Sequence, residues 1–92
     1  MSNVTTNEDI MLSRGIRTIG RATDNDIVIV DPSVSSYHAK IVTFFDASYI
    51  EDLDSSNGTY VNGKQVKKHV IRPGDNVFFG NRIYSITNQK KN

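Results

Sequence analysis

The chain has no cysteine, which excludes disulfide frameworks, thiol nucleophiles, iron–sulfur clusters and Cys-based zinc sites together. Its two histidines cannot form a His-rich metal site unaided, so neither a metal nor a cofactor is expected. No apolar run approaches the roughly 18–20 residues of a membrane span, and residues 1–9 carry neither the basic nor the apolar region of a secretory leader. A cytoplasmic protein that does not engage membranes is the expectation. Charge of one sign is lacking too: eleven Lys and Arg against ten Asp and Glu leave a net charge of +1, without the basic excess of a nucleic-acid binder. Any recognition of an anion must therefore be local.

Leucine is scarce as well, with two against nineteen Ile and Val. That is the vocabulary of strands, since β-branched side chains suit a pleated sheet and lose freedom in a helix. Ninety-two residues, 37% of them hydrophobic, suffice for one domain. A chain of this size buries about 60–68% of its unfolded surface, enough for one core but not for a deep substrate cavity. Large enzymes are thus excluded.

Residues 1–9 are too polar to order themselves; we expect a flexible arm over 1–14, a folded domain over 15–88 and a frayed end at 89–92. From Ile16 onward short β-rich runs alternate with turn residues, and no long stretch keeps a 3.6-residue period. Strands are predicted at Ile16–Gly20, Ile27–Val30, Ala39–Phe45, Ser48–Leu53, Thr59–Val61, Lys64–Val66, Asn76–Phe79 and Arg82–Thr87, with a short one near His69–Arg72. Asn62-Gly63 reads as a type I′ hairpin turn, which needs positive φ at both central positions. Asp46-Ala47 and Gly80-Asn81 sit where tight hairpins are expected, and Pro73-Gly74 suits the centre of a type II turn. The pattern predicts an all-β fold, a sandwich or a barrel.

Three connections do not fit the hairpin pattern. Arg21–Asp26, Asp31–His38 and Asp54–Gly58 are loops rich in Asp, Ser, Thr and Asn, and loops on a rigid β scaffold are where binding chemistry concentrates. Gly20-Arg21, Ser35-x-x-His38 and Ser56-Asn57-Gly58-Thr59 each lie at a strand end. If those loops converge, a guanidinium fork, two or three hydroxyls, an amide and loop N–H groups share one pocket, a donor set that matches a phosphate dianion.

These residues, together with Asn25-Asp26-Ile27, Asn62-Gly63 and Gly74-Asp75, stand in the order and spacing of the forkhead-associated (FHA) domain, which the chain resembles from about Ile16 to Thr87. No single motif there is specific, but the ordered set is. The resemblance implies a sandwich of two twisted sheets of about 10–11 short strands that reads phosphothreonine peptides with loops at one end. It implies phosphate binding by Arg21 and Ser35, a further contact from Ser56, and a grip on the peptide backbone by Asn57. Gly20, His38, Gly58 and Thr59 then look like supports that shape the site. Where the family often has Arg or Asn after the serine, this chain has Ser36, a shorter and uncharged contact, so binding is expected to survive in weakened form. The implied preference for phosphothreonine over phosphoserine rests on one methyl group, worth about 1–3 kcal/mol in a small apolar niche. Tyr37, Ser33 and Ser55 are the expected contributors to selectivity beyond the phosphothreonine. The implied partner is a phosphothreonine-containing protein, a Ser/Thr kinase substrate or the kinase itself, bound by a monomer.

Other readings compete. A Ser35/His38 nucleophile pair would suggest a hydrolase, but no nucleophile elbow surrounds it and there is no room for a substrate cleft. Phe44-Phe45 and Phe78-Phe79 near Lys67-Lys68 suggest stacking platforms for a nucleic-acid single strand; adjacent strand residues point to opposite faces, so one Phe of each pair is expected in the core. A phosphate-independent scaffold with the FHA fold is the third alternative, and the presence of Arg21 and Ser35 argues against it. Thr5 and Thr6 each have an acidic residue three positions on, Glu8 and Asp9, and resemble the acidic ligands some FHA domains favour. They are candidate regulatory phosphosites for docking of the arm on its own domain, although a simple frayed terminus is the favoured reading.

Overall fold

The computed structural model describes residues 8–45 and 47–88. Ten strands follow in chain order: β1 Glu8–Leu12, β2 Gly15–Gly20, β3 Ile27–Val28, β4 Ala39–Phe44, β5 Ala47–Asp52, β6 Thr59–Val61, β7 Lys64–Val66, β8 Lys68–Ile71, β9 Asn76–Phe79 and β10 Arg82–Asn88. They form two five-stranded sheets, in the orders β1-β10-β9-β6-β7 and β3-β2-β4-β5-β8. The scarcity of Leu predicts the all-β composition, and of the two architectures that the spacing allows, a sandwich or a barrel, the chain adopts the sandwich that the resemblance implies.

Alternation along the strands builds the core. Ile41 pairs with Ile50 across β4 and β5, and both point inward to meet Val61, Val77, Phe79 and Ile86 from the other sheet. Phe79 is fully buried, and truncating such a ring costs about 3–5 kcal/mol. Thr43 and Ser48 also face inward, and their hydroxyls satisfy each other at 2.9 Å. Asn62 and Gly63 have φ of 52° and 89°, as the type I′ turn requires, and the Asp75 N–H closes the Pro73-Gly74 turn on the Arg72 carbonyl at 3.1 Å.

Three expectations need correction. Glu8–Leu12 is no flexible arm: β1 pairs in parallel with β10, the last strand, and Ile10 and Leu12 are buried. Its apolar period of two is only two residues long, and its partner lies at the far end of the chain. Thr5 and Thr6 lie outside the described residues, as does the end at 89–92. The β4–β5 turn falls one residue earlier than expected, because Phe44 pairs with Ala47 and Phe45 takes a positive φ of 56°. Consequently neither Phe44 nor Phe45 is in the core; Phe44 points to the outer face and Phe45 sits in the turn.

Candidate functional site

The three polar loops meet at one end of the sandwich, held by hydrogen bonds that run mostly through residues 33–38. The Arg21 N–H donates to the Ser35 carbonyl at 2.9 Å, the Ala22 N–H to the Ser36 carbonyl at 3.1 Å and the His38 N–H to the Ile19 carbonyl at 2.8 Å. This close approach requires Gly20, since a Cβ there would collide with the Ser36 carbonyl oxygen and with Asn25 Nδ2. Asn25 is buried and ties the loops further, its Nδ2 donating at 2.8 Å to both the Ala22 and Ser36 carbonyls.

His38 pins the third loop. Its Nδ1 lies 3.1 Å from the Ser35 amide nitrogen and its Nε2 lies 2.9 Å from the Gly58 carbonyl oxygen. An N–H only donates and a carbonyl only accepts, so Nδ1 is the acceptor, Nε2 carries the proton, and the ring is neutral. The ring is fully buried and meets Phe79 edge-on, with centroids 5.5 Å apart. Gly58 itself takes a φ of +87°, and a Cβ there would crowd Gln65 Nε2.

Below this pin lies Asp52. Its Oδ1 accepts from Ser55 Oγ at 2.6 Å and Thr59 Oγ1 at 2.7 Å, and its Oδ2 from the Ser55 N–H at 3.1 Å. Burial opposes ionisation, but these donors outweigh it and hold the carboxyl below its usual range. On the other flank Ser33 donates to Asp31 Oδ1 through its hydroxyl at 2.6 Å and its N–H at 2.9 Å. Those two bonds, helped by Arg82, lower the Asp31 pKa against a small desolvation cost.

On this frame the predicted ligand groups converge. Arg21 is exposed, and its Nε donates to the Val34 carbonyl at 2.9 Å, which aims the guanidinium while its Nη groups pair with no described carboxylate. Ser35 Oγ accepts the Ser56 N–H at 2.9 Å, so its hydroxyl proton remains available to donate outward. Asn57 Nδ2 donates to the Ser33 carbonyl at 2.7 Å; its second N–H and its Oδ1 are left for a ligand. Ser36 and Ser56 are exposed beside them. A cleft of about 690 Å³ opens next to Asn57, with Tyr60, Gln65 and Lys67 in its wall. Ser56 lines it as well, whereas Arg21 and Ser35 do not.

Gly20, His38, Gly58 and Thr59 therefore occupy supporting positions. Ser33 and Ser55 do not match their expected part in selectivity, because both hydroxyls are engaged internally: Ser33 Oγ also accepts the Asn81 N–H at 2.8 Å, and Ser55 Oγ the Gly58 N–H at 2.9 Å. Tyr37 is exposed, its hydroxyl donating to the Asp24 carboxylate at 3.0 Å. Sequence reasoning missed Asp52 and Asp24 as members of the site. A Ser or Thr three or more residues from an Asp is too common a spacing to single out Asp52.

A family model of the FHA domain matches residues 17–80, the span that contains all three loops. The chain belongs to the FHA domain family. A mycobacterial relative, the ABC transporter ATP-binding/permease protein Rv1747 of Mycobacterium tuberculosis, is 44% identical over 70 residues, covering 76% of this chain and 8% of the transporter. Among solved structures, EmbR of Mycobacterium tuberculosis, in complex with a low-affinity phosphopeptide, matches with a TM-score of 0.78 at 31% identity, over 88% of this chain and 22% of that one. A second, an FHA domain from a structural and functional analysis of phosphothreonine-dependent FHA interactions, matches with a TM-score of 0.75 at 32% identity, over 78% of this chain and 75% of that one. The chain spans 8% of the length of Rv1747 and 51% of that of another relative, the glycogen accumulation regulator GarA of Mycobacterium tuberculosis. FHA domains are non-catalytic binding modules. Among the described residues no helix is long and apolar enough to cross a membrane.

Proposed function

We propose that this FHA domain binds phosphothreonine in proteins modified by Ser/Thr kinases and acts as a signalling adaptor or regulator. The observation that carries the reading is the outward pairing of Arg21 with Ser35: the loop frame occupies Arg21 Nε and one lone pair of Ser35 Oγ, and leaves their remaining donors to an anion. Charge-assisted bonds of that kind are roughly twice as strong as neutral ones. Ser36 and Ser56 supply further hydroxyls, and Asn57 holds the peptide backbone. Catalysis by Ser35 and His38 finds no support, because both ring nitrogens are spent on backbone groups and neither reaches Ser35 Oγ. We place the protein in the cytoplasm, acting as a monomer, with a kinase substrate or the kinase itself as partner. The test is a calorimetric titration with a peptide library in phosphothreonine, phosphoserine, Asp-substituted and unphosphorylated forms. Binding confined to the phosphothreonine forms is expected; equal binding of the unphosphorylated forms would instead establish a phosphate-independent scaffold.

A further inference from the structure

The outer face of the β3-β2-β4-β5-β8 sheet breaks the polar pattern normal for a solvated antiparallel face. The register sets Ile16 opposite Val42, Val42 opposite Tyr49, and Tyr49 opposite Val70, one apolar row across four strands. Ile16 is 62% exposed and Val70 55%. Phe44 and Phe45 extend this surface at the β4–β5 turn, 64% and 86% exposed. Their rings meet edge to face with centroids 5.1 Å apart.

Among the described residues the charge at the β4–β5 turn end of this surface is mainly cationic; a nearby carboxylate, Asp75, already accepts the Arg72 N–H at 2.9 Å and Asn62 Nδ2 at 3.1 Å. At the end of the sandwich, beside the β4–β5 turn, Arg14 and Arg72 line a cleft of about 370 Å³ together with Phe45 and the inward-facing Leu12, Thr43 and Ser48, and neither guanidinium pairs with a described carboxylate. Lys68 sits 4.8 Å above the Tyr49 ring. Glu51, the carboxylate that the register places on this face, is paired with Lys40 at 3.7 Å. The length of β4 separates this surface from the loop site, since Ala39 follows His38 at one end and Phe44 lies at the other.

We infer that this face is a second docking surface, independent of phosphate, for an acidic protein segment that also carries apolar side chains. Its carboxylates sit in the end cleft between Arg14 and Arg72, which adjoins the face through Phe45, and its apolar side chains cover Phe45, Phe44 and Ile16. The charge selects this occupant: a second copy docked face to face would set these cations against their own kind. A nucleic acid needs ring faces along a groove to stack on, whereas the row across the four strands is aliphatic at Ile16, Val42 and Val70 and its one ring, Tyr49, is covered by Lys68. A partner that holds both this face and the loop site gains avidity without any new contact.

The test is a two-dimensional NMR titration of the chain with a short unphosphorylated peptide that alternates Glu with Leu and Phe. Expected are shifts at Arg14, Ile16, Phe44, Phe45 and Arg72, with Arg21 and Ser35 unmoved. The double variant Arg14→Glu/Arg72→Glu should bind the peptide at least about tenfold more weakly, as should Phe45→Ser, while both keep the parent's melting temperature and phosphopeptide affinity. A parent that fails to bind phosphopeptide but shows these shifts would overturn the proposed function and support this inference. The inference falls if the face does not shift, if the Glu→Gln peptide binds equally well, or if the double variant binds undiminished. It falls equally if an oligonucleotide or phosphatidylglycerol vesicles bind the face more tightly than the peptide, or if the face is buried by self-association.

Discussion

Replacing His38 with alanine removes the acceptor of the Ser35 N–H, the donor to the Gly58 carbonyl and a ring packed on Phe79. Each backbone group left without a partner costs about 1–3 kcal/mol when buried, and the lost aromatic contact adds about 0.5–1.5 kcal/mol. The sum is about 2.5–7.5 kcal/mol, a large share of the roughly 5–15 kcal/mol that holds a small domain together. At about 4–8 °C per kcal/mol for a domain of this size, the melting temperature should fall by at least about 10 °C. Thermal unfolding followed by far-ultraviolet circular dichroism reads this directly. His38→Phe separates the two causes, because it keeps a ring against Phe79 and loses both hydrogen bonds; about 2 kcal/mol or more should still be lost. If His38→Phe were as stable as the parent, the two bonds would not be what holds the loops, and the reasoning would fail.

Gly20→Ala drives a methyl group into the Ser36 carbonyl and should cost about 1–3 kcal/mol while weakening phosphopeptide binding; unchanged melting and binding would show that the loops yield freely. Ile10→Ala should cost about 2–5 kcal/mol if β1 packs in the core as its burial indicates, whereas an undocked arm would lose nothing. Asp52 has a folded-state pKa below its ordinary value of 3.8, so as pH falls the unfolded chain takes up the proton first. The stability Asp52 contributes is complete well above pH 3.8 and is lost as pH drops through the folded value, so the acid-induced fall in melting temperature should be shallower for Asp52→Asn than for the parent. Parallel pH profiles would refute that role.

Much of this architecture is legible in the residues because turn chemistry and β-rich runs agree with the fold. Asn62-Gly63, Pro73-Gly74 and Gly80-Asn81 mark their turns, and the predicted strands from Ile16 onward match β2 to β10 to within two residues. β1 escaped because Ile10 and Leu12 are too brief a pattern to announce a strand whose partner is the last in the chain. The β4–β5 turn shifted by one because Phe45, an unfavourable residue for positive φ, adopts it nonetheless. At the loop site the sequence motifs mark Arg21, Ser35, Ser56 and Asn57, which converge. What they leave hidden is which hydroxyls point inward: Ser33 and Ser55 resemble Ser35 in sequence, and only Asp31, Asp52 and their hydrogen bonds distinguish them.

The central claim is that Arg21 and the loops around it hold a phosphothreonine. Calorimetric titration of one binding phosphothreonine peptide into the parent and into Arg21→Ala, both shown to be folded by circular dichroism, tests it most directly. Loss of a charge-assisted contact worth about 1.5–3 kcal/mol predicts binding weaker by roughly tenfold to 150-fold in the variant. Equal affinity of the two proteins would contradict the account.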